Sequence, residues 1–202
     1  ITERIMNSGA VLVGSTTSSE FGGINCTSTK LNGDTHNPWK LGCTPGGSSG
    51  GSAAAVSAGL LTIASGGDGG GSIRIPAGFT GLVGLKATFG RIPRGPHTEV
   101  NPLTVCYGAL TRSVRDTARF FDCTNGHDAT DPNSLPRVSG WEERLGTLDL
   151  SGSTVAVVPD LGAATVSATT AGKIDETAEI LIKAAGLKRV DLPVALPAVS
   201  ME

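Results

Sequence analysis

The chain has 202 residues, with 16 basic and 18 acidic side chains and a formal net charge of −2 at pH 7. That near-balance, with no lysine- or arginine-rich block, excludes the electrostatic footprint of a nucleic-acid or anionic-membrane partner and favours a neutral small substrate. The length allows one sizeable core, and no run of about 18 apolar residues is present to span a bilayer.

In chain order, Ile1 to Ser8 carry a short helical pattern, and Ala10-Val11-Leu12-Val13-Gly14 is an apolar run of strand length, so a helix followed by a buried strand is expected. The start reads as the middle of a helix and the end, Leu196 to Glu202, has no capping signal, so an internal piece of a longer domain is expected, with a cytoplasmic location as the default. Residues 15 to 47 are polar, with turn signals at Asn32-Gly33-Asp34 and Asn37-Pro38, and read as a long ordered loop with room for one short helix. The alanine-rich stretch from Gly51 to Ala58 should be helical and stop at Gly59, followed by a buried strand over Leu60 to Ala64 and a glycine loop over 66 to 71. A short helix is expected over Ser72 to Phe79 and a strand over Leu82 to Lys86. Ser113 to Asn125 form an amphipathic helix with Val114, Ala118, Phe120 and Phe121 inward, stopped at Gly126. The stretch from Thr124 to Gly146 is loop-like but packed through Trp141. Thr154 to Pro159, Thr169 to Ala185 and Lys188 to Leu192 then repeat the order strand, helix, strand. Such alternation predicts an α/β fold, a mixed and largely parallel sheet covered by helices, within a single incomplete domain over 1–202.

Glycine occupies 29 positions, about twice its average usage, and these cluster instead of repeating. Cys26, Cys43, Cys106 and Cys123 form no C-x-x-C pair and read as free thiols, mostly buried; His36, His97 and His127 fit no metal-ligand spacing. Neither a metal nor a cofactor is expected.

Two serine-glycine loops carry the chemistry. The first is Thr44-Pro45-Gly46-Gly47-Ser48-Ser49-Gly50-Gly51-Ser52; the second is Gly66-Gly67-Asp68-Gly69-Gly70-Gly71-Ser72. Consecutive glycines let successive N–H groups converge on one point, a nest suited to negative charge, and a serine ending it would sit beside an oxyanion site. Neither loop supplies the lysine and spacing of a phosphate loop, and no frame of 66 to 72 gives G-x-G-x-x-G. Gly46-Gly47-Ser48-Ser49-Gly50 does match the G-x-S-x-G nucleophile elbow, but the preceding Asn37 to Pro45 makes a poor strand. Structural turns use the same residues, so the loops alone leave the function open.

The run Pro45 to Val56, then Asp68-x-Gly70-Gly71-Ser72-Ile73-Arg74-Ile75-Pro76-Ala77, then Gly81-Leu82-Val83-Gly84-Leu85-Lys86 resembles the amidase signature nearly letter for letter, with its core at about residues 37–95. Asn37-Pro38-Trp39, Gly14-x-Thr16-x-x-x-Glu20-Phe21 and Leu110-Thr111-Arg112-Ser113-Val114-x-Asp116 are also similar to family segments, so the resemblance covers about residues 1 to 136. It implies hydrolysis of a small carboxylic amide, with Ser72 attacking the carbonyl and the N–H groups of Gly69, Gly70, Gly71 and Ser72 holding the oxyanion. Ser48 corresponds to the family's serine in a cis peptide, which passes a proton between the nucleophile and a neutral lysine and then to the leaving amine. Ser49, Asp68 and Arg74 are expected to support the loops, Asp68 by accepting hydrogen bonds and Arg74 through its planar fork.

In the family the lysine lies several tens of residues before the first serine loop, which falls before Ile1. Lys30 and Lys40 read as solvated, and Lys86 corresponds to a family lysine that is not the base. The 202-residue segment alone is therefore expected to be inactive. The amidase subunit of a tRNA-dependent glutamine amidotransferase is the alternative within the same chemistry, although Ile75 stands where that subunit usually has glutamine and Arg91-Ile92-Pro93-Arg94 resembles the free-standing amidases more. A non-catalytic remnant is the alternative from another class. Acyl specificity is not legible in these residues, and assembly into a homo-oligomer stays open.

Overall fold

The computed structural model describes residues 1–96, 103–161 and 164–192, and the chain divides into two units, Ile1–Leu145 and Gly146–Glu202. In the first unit, strand β5 (Cys106–Thr111) lies between β3 (Ile63–Asp68) and β4 (Val83–Gly84) and is antiparallel to both. Strands β3 and β4 therefore run parallel to each other, joined through helix α3 (Arg74–Thr80). The alternation seen in the sequence is real, but the two parallel strands it predicts are not hydrogen-bonded neighbours. A later strand arrives antiparallel between them, so the sheet is mixed and less parallel than expected.

Strand β5 escapes sequence reading because it is buried on both faces and shows no polar–apolar alternation. Ala109 and Leu110, both fully buried, point to opposite sides of the sheet. Ala109 joins Ala87, Ile92, Phe120 and Phe121, with Ile1 and Ile5 packed against them. Leu110 joins Ala53, Ile73 and Ala77. One face is thus covered by α4 (Val114–Thr124) and α1 (Thr2–Asn7), the other by α2 (Gly50–Ser57) and α3. This is the α/β layering the sequence predicts.

Helix α4 buries Thr117, Ala118, Phe120, Phe121 and Thr124. Val114 belongs to the same stripe but is 59% exposed, because the first turn projects past the packed face. The helix starts at Ser113, whose Oγ accepts from Asp116 N at 3.1 Å while donating to Asp116 Oδ2 at 2.7 Å, a closed capping pair. Ser113→Ala is expected to lower stability by about 1 kcal/mol, read as a shifted urea midpoint at unchanged slope. Beyond the helix, Trp141 packs edge-on against Phe121 with ring centroids 6.0 Å apart, which anchors the loop-like stretch as expected.

Three expectations need correction. Ala10 to Gly14 form no strand among the described residues, and Val11 and Val13 are 86% and 76% exposed. An apolar run specifies burial only where another element lies alongside it. The strand expected at Leu60 to Ala64 begins at Ile63 and runs through Gly66 and Gly67 to Asp68, while Leu60 is exposed. Those glycines pair with Gly108 and Tyr107, so they act as strand and only Gly69 to Gly71 act as loop. Within the polar stretch, β1 (Ser28–Thr29) and β2 (Gly33–Asp34) form a small antiparallel hairpin at the Asn32-Gly33 turn signal.

In the second unit, β6 (Thr154–Val155) and β7 (Lys188–Arg189) are parallel and connected through α5 (Ala168–Ala185), as the strand–helix–strand pattern predicts. Ser167 caps α5 by accepting from Thr170 N at 3.2 Å, and Gly186 ends it at φ 63°. His97 and the segment from Leu196 to Glu202 lie outside the described residues. No described helix is long and apolar enough to cross a membrane.

Candidate active site

The two serine loops meet where α2 and α3 begin. Ser49 N donates to Ser72 O at 3.3 Å and Ser49 Oγ to Gly67 O at 3.4 Å, so Ser49 ties the first loop to the second. Ser48 and Ser72 are each half-buried, and no described residue hydrogen-bonds either hydroxyl. The Gly47–Ser48 peptide is cis, as the resemblance implies.

Asp68 ends β3 opposite Cys106 and is fully buried. Its Oδ1 accepts from Gly71 N at 2.8 Å and Arg74 Nη2 at 2.9 Å. Its Oδ2 accepts from Ile73 N at 3.2 Å, Arg74 N at 3.3 Å and Arg74 Nε at 2.9 Å. Burial by itself would raise the Asp68 pKa; the Arg74 fork and the N–H groups of Gly71, Arg74 and Ile73 outweigh it and hold the value down to about 2. The same contact raises the Arg74 pKa. A single carboxylate therefore clamps both ends of the loop that presents Ser72, with Arg74 closing it from the solvent side at 52% side-chain exposure.

Gly71 departs from the expected oxyanion set. Its N–H is already committed to Asp68 Oδ1, whereas no described acceptor takes the N–H groups of Gly69, Gly70 or Ser72. Gly71 has φ 113°, and a Cβ there would come within 2.7 Å of Ile75 Cδ1, so this position requires glycine on two counts. It bends the loop; its neighbours keep the free donors.

The first loop is held from a direction the sequence does not reveal. Ser19 N donates to Ser48 O at 3.2 Å and Gly51 N to Thr17 O at 3.1 Å. Thr27 Oγ1 donates to Gly46 O at 2.9 Å and accepts from Gly50 N at 3.1 Å. These residues come from the stretch read as a plain polar loop, where isolated serines and threonines carry no pattern. The nearest signal is the glycine count: a Cβ at Gly51 would land on Thr17, and one at Gly50 on Thr27.

Lys86 Nζ donates to Ala87 O at 2.8 Å and lies 3.9 Å from Cys106 Sγ. No described lysine is hydrogen-bonded to Ser48 or Ser72. The four cysteines are free; only Cys106 is buried, Cys26 and Cys123 are partly so and Cys43 is exposed, fewer buried thiols than expected.

The geometry joins a glycine-bent donor loop, a serine at its end and a second serine loop held against it. A sequence model described as Amidase matches residues 1–201. The chain belongs to the amidase-signature family. This amidase-signature chain is 41% identical over 162 residues to the acylamidase of Rhodococcus erythropolis, a match over 80% of the chain and 34% of that relative. It is 47% identical over 135 residues to a subunit of the glutamyl-tRNA(Gln) amidotransferase of Synechococcus sp. (strain RCC307), over 67% of the chain and 28% of that relative. Its fold matches the crystal structure of a bacterial aryl acylamidase of the amidase signature family with a TM-score of 0.87 at 31% identity, over 96% of the chain and 40% of that structure. The chain thus spans less than half the length of each of these three relatives.

Proposed function

We propose that these residues carry the acyl-transfer centre of a carboxylic amide hydrolase, within one amidase domain that extends beyond them. Ser72 Oγ attacks the amide carbonyl carbon, and the carbonyl oxygen, now negative, is held by the N–H groups of Gly69, Gly70 and Ser72. Ser48 takes the Ser72 proton toward a base and returns a proton to the leaving nitrogen, which departs as ammonia or an amine. Water then attacks the acyl–Ser72 ester and releases the acid. The observation that carries this reading is the loop-to-loop contact at Ser49 N and Ser72 O, 3.3 Å, which brings a glycine nest ending in one serine against a loop carrying another. Asp68 and Arg74 serve as the frame of the nest, and Ser49 as the tie between loops.

The base is assigned by family resemblance to a neutral lysine supplied by polypeptide outside residues 1–202. The short coverage of the relatives, and the commitment of Lys86 Nζ to Ala87 O, support this. The free thiols fit a reducing compartment such as the cytoplasm. The 47% identity to an amidotransferase component favours one second reading, in which glutamine is the amide and ammonia passes to an acylated tRNA.

A fluorophosphonate probe tests the proposal, because it phosphonylates only an activated serine. Peptide mapping of the full-length chain should place the adduct on Ser72, and the isolated 202-residue segment should remain unlabelled. An adduct on another serine, or labelling of the isolated segment, would contradict the assignment. Ammonia release from glutamine without release from aliphatic or aryl amides would favour the second reading.

A further inference from the structure

Among the residues that touch the serine loops, Thr27 is placed unlike any other. It is 2% exposed, lies just before β1 and is held there through its carbonyl, which accepts from Thr35 N at 2.9 Å. A hydroxyl has one proton to give and two lone pairs to receive. Thr27 Oγ1 gives its proton to Gly46 O at 2.9 Å and receives Gly50 N–H at 3.1 Å. The two partners stand at opposite ends of the segment that has Ser48 at its middle. Gly50 N–H is also one of the first-turn donors of α2 that no helical carbonyl can reach, so the bond serves the helix and the loop together. The fit is tight, since any Cβ at Gly50 would land on Thr27 Oγ1.

We propose that Thr27 is a positioning residue for amide hydrolysis, a buried brace that fixes the Gly46–Gly50 loop and thereby the Ser48 hydroxyl against Ser72. This rests on the reading of Ser48 as the proton carrier. No hydrogen bond reaches the Ser48 hydroxyl among the described residues, so its direction is set by the backbone that carries it, whose carbonyl oxygen also lies 3.5 Å from Thr27 Oγ1. That backbone is held at Ser48 O by Ser19 N at 3.2 Å and at both flanks by Thr27. Removing the brace leaves the glycine nest in place, because its backbone hangs on Asp68 through Gly71, Ile73 and Arg74, and loosens chiefly the loop that carries Ser48. A displacement of the order of 1 Å at a reacting group costs on the order of 100-fold in rate.

The test compares two substrates of the full-length chain, 4-nitroacetanilide and 4-nitrophenyl acetate, in the wild type, Thr27→Val, Thr27→Ser and Ser72→Ala. The anilide needs Ser48 twice, to take the Ser72 proton and to deliver one to the leaving nitrogen, whereas the ester needs only the first because nitrophenolate departs without a proton. Thr27→Val should lower kcat for the anilide about 10- to 100-fold with KM within about two-fold, and should lower ester turnover at least about five-fold less. Thr27→Ser, which restores the hydroxyl and removes only the methyl, should recover anilide turnover to within about three-fold of wild type. If Thr27→Val does not fold, Thr27→Cys, with a far weaker hydrogen-bonding group, is read in the same way. Equal losses on both substrates, or Thr27→Ser as impaired as Thr27→Val, would assign Thr27 to packing and overturn the proposal, as would wild-type anilide turnover in Thr27→Val. Absence of any Ser72-dependent turnover in the wild type would instead remove the functional reading on which it rests.

Discussion

Ser72→Ala should lower amide turnover by the full-length chain by at least about 10⁴-fold, and Ser48→Ala by about 10²- to 10⁴-fold. The two effects differ because the groups do different work. Without the Ser72 hydroxyl no acyl-enzyme forms, and what remains is binding and the backbone N–H donors at Gly69, Gly70 and position 72 acting on water. Without the Ser48 hydroxyl the nucleophile and its nest are intact, but proton transfer must go through water or directly to the base. Steady-state kcat and KM on one amide separate these cases: both variants should change kcat far more than KM, because neither hydroxyl has a binding role in the mechanism. The double variant should be no worse than Ser72→Ala, since a proton carrier has nothing to serve once the nucleophile is gone. Strictly multiplicative losses would show that the two serines do not act as a unit.

Asp68→Asn should cost about 3 kcal/mol of stability at neutral pH, because one side chain accepts five hydrogen bonds there and the amide cannot. Asparagine keeps one acceptor oxygen and turns an NH₂ donor toward the N–H groups of Ile73 and Arg74. The pH dependence has a fixed sign. The folded pKa of Asp68, about 2, lies below its ordinary 3.8. The unfolded chain therefore takes up the proton first on acidification, and the stabilisation, about 2 kcal/mol, is complete above pH ~4 and lost as pH falls toward 2. Urea unfolding of wild type and variant at several pH values checks this: the gap between them should narrow below pH ~4 and stay constant from about 5 to 7. Arg74→Gln should cost only about 1 kcal/mol, because its guanidinium is half in water and the carboxylate keeps its three backbone donors. Asp68→Asn should also slow amide turnover, since an NH₂ set against the N–H groups of Ile73 and Arg74 pushes away the backbone that directly follows Ser72.

Coverage separates what belongs to the amidase-signature family from what belongs to these 202 residues. Val11, Leu12 and Val13 are exposed in the structure and lie a few residues before Thr17, whose carbonyl accepts from Gly51 N in the first serine loop.

What the sequence by itself determined are the features whose physics is local. Helices α2, α4 and α5 are legible in the alanine-rich run from Gly51, in the amphipathic spacing from Ser113, in the Thr169 to Ala185 segment and in the stop signals at Gly59 and Gly126. The two serine loops and their glycines are equally legible, because backbone that must curve or approach closely excludes every other residue type. Tertiary structure decided the rest. It inserted β5 between two parallel strands, turned Gly66 and Gly67 from loop into ladder, left Val11 and Val114 outside the core and aimed Gly71 N–H at Asp68 instead of into the nest. It also brought Ser19 and Thr27 to the loop of Ser48. The reason is the same throughout: periodicity and capping report what a residue does with its near neighbours in sequence, whereas a strand's partner or a hydrogen bond's acceptor is chosen among groups that meet only when the chain has folded.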